Sequence, residues 1–205
     1  MKSLFINTSS FFMSVAITED NNILYKKEEK IINDMATKIV PFIEECFSNA
    51  PFEIEDLDRI FVVNGPGSFT GVRIGVTAAK TIAWSLKLDV VPISSLEVIA
   101  TTPTDKKHVI PVIDARRGCV FAGVYDWELN TIMENKYIEL RELDDYRADG
   151  ELISYDDIES AIKPSVDIIK IIEKHKDDTP INPHKLNPNY LKLTEAEEKL
   201  VNKDD

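Results

Sequence analysis

Short apolar runs and polar turns alternate along the chain from its first residues. Residues 3–8 (Ser-Leu-Phe-Ile-Asn-Thr) predict a buried strand ending in a polar turn. Residues 12–18 predict a second strand. After the Asp20-Asn21-Asn22 turn, residues 23–30 predict a third, so the chain opens as an antiparallel meander. The period then lengthens. Met35, Ile39, Phe42, Ile43, Cys46 and Phe47 recur at helical spacing and predict a helix over 34–48 with Asp34 as its cap. Pro41 lies inside it and predicts a later start or a kink, because its ring removes one helical hydrogen bond. Residues 59–63 predict a buried strand. Val72, Val76, Ala79, Ile82, Ala83 and Leu86 mark the apolar face of a helix over 71–86.

A strand at 89–92 and a helix over 94–101 follow, the helix opening on a Ser94–Glu97 capping-box pattern. Strands are predicted at 108–114, 119–126 and 131–140. The stretch 139–159 holds nine acids and two arginines and predicts a solvated connection with short helical turns. Residues 162–174 suit strand or helix, and a polar tail with Pro180, Pro183 and Pro188 starts at Asp177. This order predicts an α/β fold of two lobes, 1–100 and 101–205, joined by a linker near 102–107, the second lobe smaller and more acidic.

With 205 residues, 43% of them hydrophobic, the chain can bury roughly 70% of its unfolded surface without staples. The net charge is −12, divided −4 and −8 between residues 1–100 and 101–205. So acidic a surface is a poor stand-alone binder of nucleic acid, and any basic groove must come from another subunit. Cys46 and Cys119 form no Cys-x-x-Cys pair and stand among apolar neighbours, which predicts buried reduced thiols. Lys2 is followed by too short an apolar run for a secretory signal, and no run approaches the ~20 residues of a membrane span. A cytoplasmic location is expected.

Four of the seven glycines fall in Gly65-Pro66-Gly67-Ser68-Phe69-Thr70-Gly71-Val72-Arg73-Ile74-Gly75, between a predicted strand and a predicted helix. A helix N-terminus there would favour anions. The standard fingerprints fail, however. No Gly-Lys-Ser/Thr occurs, and Gly65-x-Gly67-x-x-x-Gly71 is one residue too long for the dinucleotide motif. Spacing alone leaves a tight strand-to-helix turn and an anion site equally open.

The full string is more specific. Gly65–Gly75 resembles the hallmark of the TsaB family, also called YeaZ. Four further blocks resemble that family in its own order: Leu4-Phe5-Ile6-Asn7-Thr8-Ser9, Ile93-Ser94-Ser95-Leu96-Glu97, Asp114-Ala115-Arg116-Arg117-Gly118 and Pro188-Asn189-Tyr190-Leu191-Lys192. The resemblance implies an actin-like (ASKHA) α/β fold, each lobe a mixed sheet flanked by helices. It implies a non-catalytic subunit of the complex that forms N6-threonylcarbamoyladenosine at position 37 of tRNAs reading codons that start with A. It further implies a direct heterodimer with the transferase TsaD, association with the ATPase TsaE, and contact with tRNA through the complex. ATP and Mg are then expected in partner subunits or at an interface, with no cofactor in this chain. The pairing surface implied is the two N-terminal helices, here 34–48 and 71–86. The chain departs from the family pattern at Asn7, where an acid is expected, and at Asn33-Asp34 in place of a His-Ser pair; it is also short, which implies a trimmed second lobe.

The residues permit a weighing of chemistries. An actin-like phosphotransferase needs a carboxylate near the first-strand turn, and the turn Asn7, Thr8, Ser9 has none. After Gly75 only the isolated Gly118, Gly123 and Gly150 remain for an adenosine loop. A peptidase of the M22 type needs paired histidine ligands, and His108, His175 and His184 lack that spacing. No catalytic residue and no metal site are therefore expected. Asp114 is expected to accept from backbone N–H groups before Arg116, and Arg116 and Arg117 suit a charged hairpin turn or an RNA or partner contact. Arg73, a cation in the first turn of a helix, is expected to have an interfacial or intramolecular carboxylate partner. Phe69, Val72 and Val76 are expected to form an exposed apolar strip, open to a partner or to a second copy of the chain.

Overall fold

The computed structural model describes residues 1–192. Two mixed β-sheets stack with helices between and outside them. The first has strand order β3-β2-β1-β4-β5, built from β1 (Lys2–Asn7), β2 (Phe12–Glu19), β3 (Asn22–Lys30), β4 (Arg59–Gly65) and β5 (Val90–Ser94). The opening three strands are antiparallel, whereas β4 and β5 run parallel to β1. The second sheet has order β8-β7-β6-β9, from β6 (His108–Asp114), β7 (Cys119–Tyr125), β8 (Thr131–Glu139) and β9 (Gly150–Ile153), with β9 parallel to β6. The expected α/β architecture of two lobes, each a mixed sheet flanked by helices, is present.

Strand alternation builds the layers. Leu4 and Ile6 of β1, with Ile60 and Val62 of β4, face helices α1 (Met35–Ser48) and α2 (Phe69–Leu86). Phe5, Phe61 and Val63 face the other way, into a core shared with Val109 of β6, Tyr125 of β7, α3 (Ser95–Ala100) and α5 (Ile168–His175). Ile110, Val112 and Leu152 close a third cluster behind the second sheet, beside α4 (Asp144–Arg147) and Leu143. The middle cluster joins the lobes through apolar contact.

Local details differ from the pattern-based expectations for physical reasons. Asp34 sits at the start of α1 in the left-handed region (φ 64°) and its side chain caps nothing; its carbonyl accepts from the Thr37 N–H and hydroxyl instead. The helix starts at Met35, ahead of Pro41. Pro41 and Thr37 are both exposed, so water can take the Thr37 carbonyl that the proline leaves unpaired. Ser94 caps α3 by accepting from Leu96 N–H, but Glu97 does not complete a box. It turns toward Lys174 and His175 of α5. Within 139–159, residues 150–153 form a true strand whose Leu152 and Ile153 are buried. Residues 168–175 are helical. The described part of the polar tail is packed: Ile181 exchanges backbone hydrogen bonds with Val90, and Leu186 is buried under α2, while 193–205 lie outside the described residues. Cys46 is buried and its thiol is pushed up to about 11 by burial, whereas Cys119 is half-buried. No helix of the described residues is long and apolar enough to cross a membrane.

Candidate functional site

The carboxyl ends of β1, β4, β6 and β9, and the start of α3 after β5, converge on a cleft of about 740 Å³ between the lobes. In open α/β sheets this edge is where ligands bind. Its walls include Asn7, Ser9 and Phe11 after β1, Gly67–Gly71 after β4, Ser95 of α3, Asp114 and Arg116 after β6, and Tyr155 and Asp156 after β9.

The glycine-rich turn is packed against the first-strand turn. Ser68 N–H donates to the Ser9 carbonyl at 2.7 Å, and the Thr8 hydroxyl to the Gly71 carbonyl at 2.7 Å. A Cβ at Gly65, where φ is +120°, would stand 2.6 Å from the Asn189 carbonyl oxygen. At Gly67, Gly71 and Gly75 it would fall closer still, on the Ser9 oxygen, the Thr8 oxygen and the Thr8 hydroxyl. At Gly65, Gly67 and Gly71 the missing side chain lets two backbones touch, and at Gly75 it leaves room for the Thr8 side chain. Ser68 caps α2 by accepting from Gly71 N–H, and Ser95 donates to the Pro66 carbonyl across the cis Gly65–Pro66 bond. Thr70 is exposed at the helix start.

Asn7 is enclosed in its own turn, its amide oxygen accepting from the Ser9 N–H at 3.0 Å and the Ser9 hydroxyl at 2.8 Å. The second-lobe residues do the same. Asp114 accepts from Arg116 N–H, and Asp156 from Asp114 N–H, both at 2.8 Å. Arg116 and Arg117 are exposed, with φ 66° and 56°, at the β6–β7 turn. Among the described residues, Asp34, Asp114 and Asp156 line the cleft against one cation, Arg116, a balance that disfavours phosphate. No group of three or more His, Cys, Asp or Glu among the described residues is placed to hold a metal.

Two expectations for the outward strip are corrected. Val72 and Val76 are buried in the first core, because both lie on the face of α2 that meets the sheet. Only Phe69 of the three is exposed, at 50%. Within the described residues Arg73 meets aromatic faces instead of an intramolecular carboxylate. Its guanidinium lies 3.8 Å from the Phe69 ring centre, and its Nε donates to the Tyr190 hydroxyl at 2.7 Å. Tyr190 in turn stacks on Phe69. Residue spacing did not reveal Tyr155 and Asp156, hidden in the acidic stretch, or the Tyr190 contact, which spans 117 residues of chain.

The family model described as TsaD, tRNA N6-adenosine threonylcarbamoyltransferase, matches residues 29–178. The tRNA threonylcarbamoyladenosine biosynthesis protein TsaB of Bacillus subtilis (strain 168) is 35% identical over 135 residues, 65% of this chain and 58% of the relative. The chain belongs to the TsaB/YeaZ family. The TsaB protein of Escherichia coli (strain K12) is 29% identical over 142 residues, 68% of this chain and 61% of its own length. The chain thus spans about three fifths of the length of these TsaB relatives. YeaZ from Pseudomonas aeruginosa, at 20% identity, superposes with a TM-score of 0.77 over 93% of this chain and 99% of its own. The TsaB/YeaZ fold therefore extends well past the aligned sequence, and the glycine-rich turn lines the cleft.

Proposed function

We propose that this chain is a non-catalytic partner subunit in the formation of N6-threonylcarbamoyladenosine on tRNA, holding the transferase TsaD rather than performing the transfer. The supporting observation is the first-strand turn. Where an actin-like phosphotransferase needs an ionised carboxylate, Asn7 is neutral and its oxygen is consumed by Ser9. Beside it the glycine-rich loop is filled by Thr8 and Ser9 instead of standing open. ATP and Mg belong, in this reading, to TsaD, TsaE or an interface, and tRNA is reached through the complex in the cytoplasm. The relatives' names support the pathway.

The outward face of α1 and α2 supports a partner. Both helices pack on one side of the first sheet. Their exposed residues include Ala36, Thr37, Val40, Thr70, Thr77, Thr81 and Trp84, with Val40 56% and Trp84 65% exposed. Glu44 and Arg73 are the exposed charges of these two helices, few for a chain with 29% charged residues, and such a composition suits an interface. The same strip could pair two copies when the partner is absent.

Co-expression with TsaD of the same organism, followed by size exclusion, is expected to give a co-migrating complex. Calorimetry of the isolated chain with ATP and Mg²⁺ is expected to show no binding tighter than about 1 mM. Separate elution together with tight ATP binding would instead favour a phosphoryl-transfer enzyme.

A further inference from the structure

The buried ionisable cluster at the end of α5 lies outside the cleft and has no part in the proposed docking. His175 is 8% exposed and stands between two carboxylates. Its Nδ1 is 2.6 Å from Asp178 Oδ2, and its Nε2 lies 3.5 Å from Glu97 Oε2, an ion-pair distance at which that buried nitrogen makes no hydrogen bond among the described residues. A neutral imidazole carries one N–H. It can serve one carboxylate only and must turn a lone pair toward the other. The imidazolium alone presents an N–H to Asp178 and a positive charge to Glu97 at the same time.

The surroundings reinforce this. Lys174 of α5 lies 3.3 Å from the second Glu97 oxygen and also donates to the Leu129 carbonyl. From β7, Tyr125 bonds Asn135, and its ring centre is 6.0 Å from Lys174 Nζ. Asp126 lies within the reach of the Lys174 charge. From β4, Arg59 donates to the Lys176 carbonyl, while Lys176 itself pairs with Glu173. Burial pushes the His175 ring down, but Glu97 and Asp178 outweigh it and hold the ring above the ordinary 6.5.

His175 also marks the point where the chain leaves α5 for the first lobe. Beyond Asp178, residues 181–190 form a strap along α2. Ile181 pairs with Val90, Lys80 donates to the carbonyls of His184 and Leu186, Asn189 N–H donates to the Asn64 carbonyl, and Tyr190 meets Arg73 and Phe69. We propose that His175 is a proton-operated clasp that ties the root of this strap, through Asp178, to α3, through Glu97. The grip of residues 181–190 on the first lobe is thereby coupled to pH. Because the folded ring binds its proton more tightly than the unfolded one, the clasp is complete below the ordinary histidine value. It is lost as pH rises through the higher folded value.

The test uses the full chain. Ring titration by NMR is paired with hydrogen exchange at the Ile181 and Asn189 amides between pH 6 and 9, corrected for intrinsic rates. Protection of both amides is expected to fall as the ring loses its proton, by about tenfold for each unit by which the ring titrates above its unfolded value. Asp178→Asn, at an exposed carboxylate, is expected to lower the ring's titration point, and His175→Gln to abolish the pH dependence of protection. A ring titrating at or below the ordinary value overturns the proposal. So does protection that keeps its pH dependence in His175→Gln or, if that variant does not fold, an unchanged titration point in Asp178→Asn.

Discussion

Gly71→Ala is expected to lower the stability of the fold by about 3 kcal/mol, which at this size means a Tm reduced by roughly 6–12 °C. Gly71 is helical and its backbone angles suit alanine. The cost comes from the new methyl, which falls on the backbone carbonyl oxygen of Thr8, a neighbour that no side-chain rotation can move aside. Thr8 is further pinned by its hydroxyl bond to the Gly71 carbonyl. Gly118→Ala is the matched control. Nothing lies within 4 Å of a Cβ there, so only its φ of 78° is charged against it, roughly 1–2 kcal/mol. Thermal scans of the two variants against the parent measure the difference. Equal Tm losses would remove the packing explanation of the glycine-rich turn and revive an open anion loop.

Val40→Glu and Thr77→Glu are each expected to weaken the complex with TsaD by at least about 30-fold while leaving the Tm within about 2 °C. Both positions are exposed in the isolated chain, so a carboxylate costs little there. Once covered by a partner it would be an unpaired buried charge, worth about 2–5 kcal/mol. Titration of labelled TsaD with each variant reads the effect. Unchanged affinity in both would place the interface elsewhere on the molecule.

The contrast between what the residue pattern revealed and what it hid follows from how far each feature reaches along the chain. The opening meander, α1, α2 and the turn between β4 and α2 rest on local periodicity and glycine spacing, and all were legible. The strand Gly150–Ile153 was not, because only Leu152 and Ile153 are buried and acids flank them on both sides. The strap over 181–190 was not legible either. It attaches largely through backbone carbonyls, Asn64, Lys80 and one tyrosine, none of which has an apolar period. Arg73 was singled out correctly as a cation in need of a partner, yet dipole reasoning suggests a carboxylate and cannot foresee Tyr190. Glycine spacing left the turn undecided between packing and anion binding. The decision came from where a Cβ would go at Gly67, Gly71 and Gly75, which only three dimensions supply.

The functional reading depends on a negative charge that is missing from the cleft's floor at Asn7, and on a partner that supplies the chemistry. The most direct measurement is reconstituted formation of threonylcarbamoyladenosine on tRNA from purified TsaD, TsaE and a threonylcarbamoyl donor, with and without this chain. Product is expected only when the chain is present, none from the chain without TsaD, and an undiminished rate with Asn7→Ala. Product formed by the chain alone, or a rate abolished by Asn7→Ala in a variant that still binds TsaD, would contradict the functional reading.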